Sequence, residues 1–314
     1  LSVTLARVQL DETGVPLLQA KAVRREKRGT LARRAQAALR TVTLCGAAAA
    51  MLGAAHAQTA TCGDSADGFD DWLADFKQEA ETAGVAPSVI ESALADVAYD
   101  DAVIAQDRRQ GSFHQDFAKF AAKRVTAYRL KKGRTMLLSY AEPLDRIERR
   151  YGVPAPVLVA IWGLETEFGA GSGTVPTFNA LATLAYDCRR SEKFREELLD
   201  ALKIVQRGDL EPSQMRGAWA GEIGQTQFLP STYLKYAVRA DGGAVADLID
   251  DPKDALASTA NFLRAKGWKR GAGWDEGEPN FAALQEWNSA PVYAKTIAYF
   301  ADRLAGAGEN GGER

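Results

Sequence analysis

Pro154-Ala155-Pro156-Val157-Leu158-Val159-Ala160-Ile161-Trp162-Gly163-Leu164-Glu165-Thr166-Glu167-Phe168-Gly169 is the stretch on which the reading of this chain turns. Within it Val157, Ile161, Leu164 and Phe168 recur at three- and four-residue steps, the spacing of a helix that buries one face. At about 100° per residue, Glu165 falls on one flank of that stripe and Glu167 on the other. A carboxyl group held against apolar neighbours loses hydration of its charged form, so it keeps its proton to higher pH and suits a general acid. The plain alternative, a solvated helix border, applies to either glutamate, and periodicity does not choose between them.

The same period runs outward in both directions. Phe69, Trp72, Leu73, Phe76, Ala80 and Ala83 predict a helix ended by Gly84, and Pro87 opens a second with Val89, Ile90, Leu94 and Val97. A third helix is expected from about Phe113 through Phe117 and Phe120 to Tyr128, and a fourth over Glu142 to Tyr151, closed by Gly152. Beyond the central stretch, Asn179 to Arg190, Ser191 to Arg207, Asp251 to Lys266 and Val292 to Leu304 read the same way. No alternating pattern of useful length interrupts them, and there is no internal repeat or heptad run. The expected fold class is all-α with at most a short hairpin.

The amino-terminal region differs in composition. Lys21, Arg24, Arg25, Lys27, Arg28, Arg33, Arg34 and Arg40 precede an alanine-rich apolar run from Thr41 to Ala57, and Ala55-His56-Ala57 offers a small-x-small cleavage site. That is the layout of a secretory signal, and the run is shorter than the ~20 residues a membrane span needs. Cleavage is expected after Ala57, and Leu1 with the polar segment before Lys21 suggests a start upstream of the natural one. Removing nine Lys/Arg and three Asp/Glu from totals of 39 and 41 leaves 30 against 38, a net charge of −8, which argues against nucleic acid as a partner. Cys45 lies in the signal, and the bulky Leu44 before it makes a poor lipoprotein site, so a soluble periplasmic protein is expected. The remaining pair, Cys62 and Cys188, is expected to form a disulfide in an oxidising compartment.

Around Glu165, the segment Ala160 to Gly169 resembles the catalytic segment of the B-type lytic murein transglycosylases, whose motif is Glu-Thr-x-aromatic-Gly. The resemblance continues through Ala180-Leu181-Ala182-Thr183-Leu184-Ala185-Tyr186, Arg189-Arg190, Gly217-Ala218-Trp219-Ala220-Gly221 and Gly224-Gln225-Thr226-Gln227-Phe228-Leu229-Pro230-Ser231. Farther on it takes in Ser258 to Leu263, Gly267-Trp268, Trp287-Asn288 and Tyr293.

The resemblance implies a lysozyme-like catalytic core over 146–304, with a helical layer over 58–145 and a flexible tail over 305–314. It implies cleavage of the bond between N-acetylmuramic acid and N-acetylglucosamine in peptidoglycan, with 1,6-anhydro ends and Glu165 as the single acid/base. No cofactor is expected. Peptidoglycan glycan strands are the implied partner; a monomer is expected, with other cell-wall enzymes as candidate partners.

Gln227, Asn288, Tyr293, Phe262, Arg189 and Arg190 are the implied substrate-binding residues. Each has a plain reading beside it: a buried amide in a turn for Gln227, core packing with Ile297 and Phe300 for Tyr293, dipole complementation at a helix end for the arginines. Two departures from the family pattern stand out. Ala218 occupies a position where some members have Ser, and Arg239 to Asp247 supplies too few oxygens where members carry a calcium-loop-like segment, so no metal is expected. Two rival functions remain. One is a hydrolytic muramidase with Glu222 or Asp187 as second carboxylate. The other is a non-catalytic peptidoglycan-binding scaffold.

Overall fold

A computed structural model of the protein describes residues 61–109 and 116–306. The expected signal, its cleavage site and the start of the expected third helix at Phe113 lie outside the described residues, as does the tail beyond Gly306.

Pro154 precedes a helix over Ala155–Thr166. It is not buried along one stripe: Val157, Leu158, Val159, Ala160 and Ile161 are all at 0% exposure. A helix apolar on every side belongs at the centre of a fold, and the other elements are arranged about it.

In chain order the described residues form α1 (Phe69–Thr82), α2 (Pro87–Leu94), α3 (Asp101–Arg108), α4 (Phe117–Arg124), α5 (Ala127–Ser139), α6 (Ala141–Tyr151) and α7 (Ala155–Thr166). Then come β1 (Val175–Pro176), α8 (Thr177–Tyr186), α9 (Ser191–Gln206), β2 (Arg216–Gly217) and α10 (Pro230–Tyr236). α11 (Pro252–Ala265), α12 (Phe281–Trp287) and α13 (Pro291–Ala305) complete the chain. The all-α expectation holds, and the short hairpin is the antiparallel pair β1–β2, with Val175 opposite Gly217.

Helix α7 is flanked by α13, α5, α6 and α11, while α8 and α9 pair with each other. α1, α2 and α3 pack over α8 and α9, and α4 rests on α13. Cys62 and Cys188 are joined by a disulfide. Beside the bond, the Gly63 N–H donates to the Tyr186 carbonyl at 2.9 Å and the Cys188 N–H to the Gly63 carbonyl at 3.2 Å.

The expected third helix is two helices. The backbone leaves helical geometry at Val125, and Thr126 Oγ1 accepts from the Arg129 N–H at 3.2 Å to start α5. Helix α3 starts from Asp100, whose Oδ1 accepts from the N–H groups of Ala102 and Val103. It buries little apolar surface, which is why periodicity missed it. No helix among the described residues is long and apolar enough to cross a membrane.

Candidate active site

Glu165 stands in the last turn of α7, where the chain reverses sharply. Glu167 and Phe168 both take left-handed backbone, at φ 55° and 61°, a conformation rare outside glycine and often found where a site is held under constraint. Contacts hold the reversal. Thr166 Oγ1 donates to the Gln225 carbonyl at 2.6 Å and accepts from the Gly169 N–H at 2.9 Å. Lys132 Nζ donates to the Glu167 carbonyl at 2.9 Å, and the Glu167 carboxylate pairs with Arg129. Glu167 is thereby committed to the turn, so geometry separates the two glutamates that periodicity left equal.

Glu165 lines a cavity of about 360 Å³ together with Glu222, Gln227, Phe228, Leu229, Thr232, Phe262, Glu286, Trp287 and Asn288. Its Oε1 accepts two hydrogen bonds, from Trp287 Nε1 at 2.9 Å and from the Tyr293 hydroxyl at 2.9 Å. Among the described residues no protein donor reaches Oε2. Burial pushes the Glu165 carboxyl up to about 6; the donors Trp287 and Tyr293 pull it down, the charge of Glu222 pushes it up and Arg124 pulls it down. Tyr293 is pushed well above the ordinary phenol range, first by burial and then by Glu165, so at neutral pH it is a donor.

A Trp N–H can only donate, and Oε1 is therefore the carbonyl-like oxygen of the neutral acid. That leaves the proton on Oε2, the oxygen without a protein partner.

The other expected site residues divide. Gln227 borders the cavity in left-handed backbone at φ 57°, and its Nε2 donates to the carbonyls of Gly224 at 2.7 Å and Ser172 at 3.1 Å. Both amide hydrogens are spent on the turn, which leaves the acceptor Oε1 for a ligand. The loop follows Gly224, at φ 76°, where a Cβ would lie 2.4 Å from the Leu248 carbonyl oxygen. Phe262 forms the wall with Trp287, ring centroids 5.3 Å apart, and with Phe228. Asn288 lines the cavity while its Oδ1 accepts from the Ala290 N–H at 3.0 Å.

Tyr293 does not offer a face to a sugar. It is 6% exposed, and its ring packs against Phe120 while its hydroxyl serves Glu165. Arg189 and Arg190 are not brought to the cavity wall. Both pair with Asp107 of α3, which is 1% exposed, and Arg108 pairs with Asp187. Asp187 is thus buried in an ion-pair cluster, away from the cavity lining, and does not serve as a second carboxylate there. Trp287 lies in one of the segments that carry the family resemblance, but its hydrogen bond to Glu165, across 122 positions, has no local signal in the sequence.

In the segment 239–247, the Arg239 guanidinium binds both oxygens of Asp241 at 2.8 and 2.6 Å, and Asp247 Oδ1 accepts from the N–H groups of Ile249 and Asp250. These oxygens are occupied by the protein's own donors.

Comparison with known proteins agrees with this geometry. The family model described as "Transglycosylase SLT domain" matches residues 68–277. Membrane-bound lytic murein transglycosylase B of Escherichia coli (strain K12) is 36% identical over 154 residues, which is 49% of this chain and 42% of that protein. The matched stretch thus spans less than half of that relative. The crystal structure of SltB3 from Pseudomonas aeruginosa, in complex with NAG-NAM-pentapeptide, is similar at a TM-score of 0.72 and 32% identity, covering 76% of this chain and 80% of that one. Soluble lytic transglycosylase SltB1 from Pseudomonas aeruginosa is similar at a TM-score of 0.69 and 25% identity, covering 75% of this chain and 98% of that one. With residues 68–277 matched, a span that takes in Glu165 and most of the cavity around it, the chain belongs to the transglycosylase SLT-domain family, among the lytic transglycosylases.

Proposed function

We propose that the protein cleaves the glycosidic bond between N-acetylmuramic acid and N-acetylglucosamine in peptidoglycan, releasing 1,6-anhydro ends, with Glu165 as acid and then base. The observation that carries this reading is the placing of the Glu165 carboxyl in the cavity, with Oε1 held by two donors and Oε2 left for a ligand, where burial raises it to about 6.

In the reaction, Oε2–H protonates the bridging oxygen as the bond to C1 breaks, and the 2-acetamido group of the muramyl sugar stabilises the positive charge at C1. The glutamate, now ionised and steadied by Trp287 and Tyr293, takes the proton of the sugar's own 6-hydroxyl, whose oxygen closes on C1. The proton is returned and no water is consumed. An attack from within the same sugar needs orientation more than a second base. Phe262, Trp287, Gln227 and Asn288 are the residues suited to supply it, an apolar wall with a few polar tips.

Secretion to the periplasm fits the disulfide between Cys62 and Cys188. Glu222 in the same cavity favours the hydrolytic reading to the extent that it offers a second carboxylate. Mass spectrometry of sugars released from purified peptidoglycan separates the two: ring-closed ends, lighter by one water, are expected, and hydrolysed ends would refute the proposal.

A further inference from the structure

Glu222 follows Gly221 on the loop after β2 and lines the cavity with Glu165. Its Oε2 accepts from the Ala220 N–H at 3.0 Å, which fixes the carboxylate in place. Its own N–H also donates to the carboxylate, and among the described residues no further donor reaches it, which leaves acceptor capacity for a ligand in the cavity. Glu222 is half-buried, and the carboxylate capacity that its backbone partners leave unused is open to a ligand in the cavity. The Tyr293 hydroxyl on α13 donates to Glu165. The other charges that act most on the pair are Arg124 of α4 and Glu222 itself on Glu165, and Lys193 of α9 and Arg190 on Glu222. Glu286, at the cavity edge, is paired with Lys266.

We propose that Glu222 is a second working carboxylate of this cavity, which accepts a hydrogen bond from an N–H or O–H of the bound amino sugar. Its charge in the same cavity also favours the acid form of Glu165. It transfers no proton. It is a positioning residue, and this role rests on the function proposed for Glu165. Burial raises the Glu222 carboxyl above its ordinary range, while its own and the Ala220 N–H groups, Lys193 and Arg190 oppose that rise; a donor from the substrate would add to the second group.

The test is the pH dependence of sugar release from purified glycan strands by wild type, Glu222→Gln and Glu222→Asp, with thermal melting alongside. Gln keeps the shape and still accepts from the Ala220 N–H, but it then turns an NH2 toward a substrate donor and carries no charge. The inference requires two changes in Glu222→Gln at an unchanged melting temperature: a severalfold higher KM, and an alkaline limb moved down by about half a pH unit, the size of a modest charge–charge effect. Glu222→Asp retains the charge and should leave the limb in place. An unmoved limb or an unchanged KM in Glu222→Gln overturns the inference, and so does a limb that moves equally in Glu222→Asp. Wild-type product mass keeps the two levels apart. If wild type releases no ring-closed sugar, the reading of the site fails and this inference with it; if it does and Glu222→Gln behaves as wild type, this inference alone fails.

Discussion

At the scale of single residues, the site is a compromise between folding and chemistry. Glu165 has an ordinary value of 4.5 and is raised to about 6 in the fold. The folded protein therefore holds that proton more tightly than the unfolded chain, and stability falls as pH rises from 4.5 to 6, by about 2 kcal/mol when the two values are converted. The cost is absent below 4.5 and complete above 6. Glu165→Gln, which keeps an acceptor for Trp287 and Tyr293, is expected to be more stable than wild type by up to about 2 kcal/mol at pH 7 and equal to it at pH 4. Urea unfolding at both pH values measures this; a variant no more stable at pH 7 contradicts the burial argument. The sequence made Glu165 and Glu167 legible as a pair flanking apolar residues. What it lacked was the partners: Arg129 for Glu167, and Trp287 and Tyr293 for Glu165, all far along the chain. The same blindness affected Arg189 and Arg190, whose pairing with Asp107 depends on a helix that periodicity did not register.

At the scale of elements, α7 explains why the local pattern was only half right. Its stripe was real, but the faces beside it are apolar too, since α13, α5, α6 and α11 cover them. Gly163 is the point where this packing is tightest. A Cβ there would lie 2.7 Å from the Phe168 ring and 3.1 Å from Phe300 of α13. Gly163→Ala is expected to destabilise by about 1–3 kcal/mol, the cost of overpacking a filled core, and to slow catalysis because Phe168 belongs to the reversal that presents Glu165. Denaturant unfolding together with the rate of sugar release checks both; wild-type stability would show that the ring moves aside freely. Most of the other helices were legible because they pack one face. Those that escaped, α3, α5, α10 and α12, are short or, for α5, rich in Lys and Arg with a glycine inside. In α5 that glycine, Gly133, admits Leu304 to within 2.8 Å of where a Cβ would be. Tertiary packing outweighs propensity there.

At the scale of the molecule, the amino-terminal segment is held to the core by a bond and by burial. The disulfide joins residues 126 positions apart, so it limits the unfolded chain over the whole stretch from α1 to α8. Cys62→Ser, or reduction of wild type, is expected to cost about 2–4 kcal/mol, read as a lower melting temperature; an unchanged melting point would contradict this. The pairing was expected from an oxidising compartment and the cysteine count, with Cys45 assigned to the expected signal. The all-α fold was legible from periodicity, and the central place of α7 was not, since burial on every side leaves no contrast for a pattern to show. The central claim is that the Glu165 carboxyl in the cavity is the acid. Its most direct test is the rate at which Glu165→Gln, shown folded by its melting curve, releases ring-closed muramyl sugars from purified peptidoglycan. Loss of the acid is expected to lower that rate by about a thousandfold or more, and release at a rate near wild type would contradict the account.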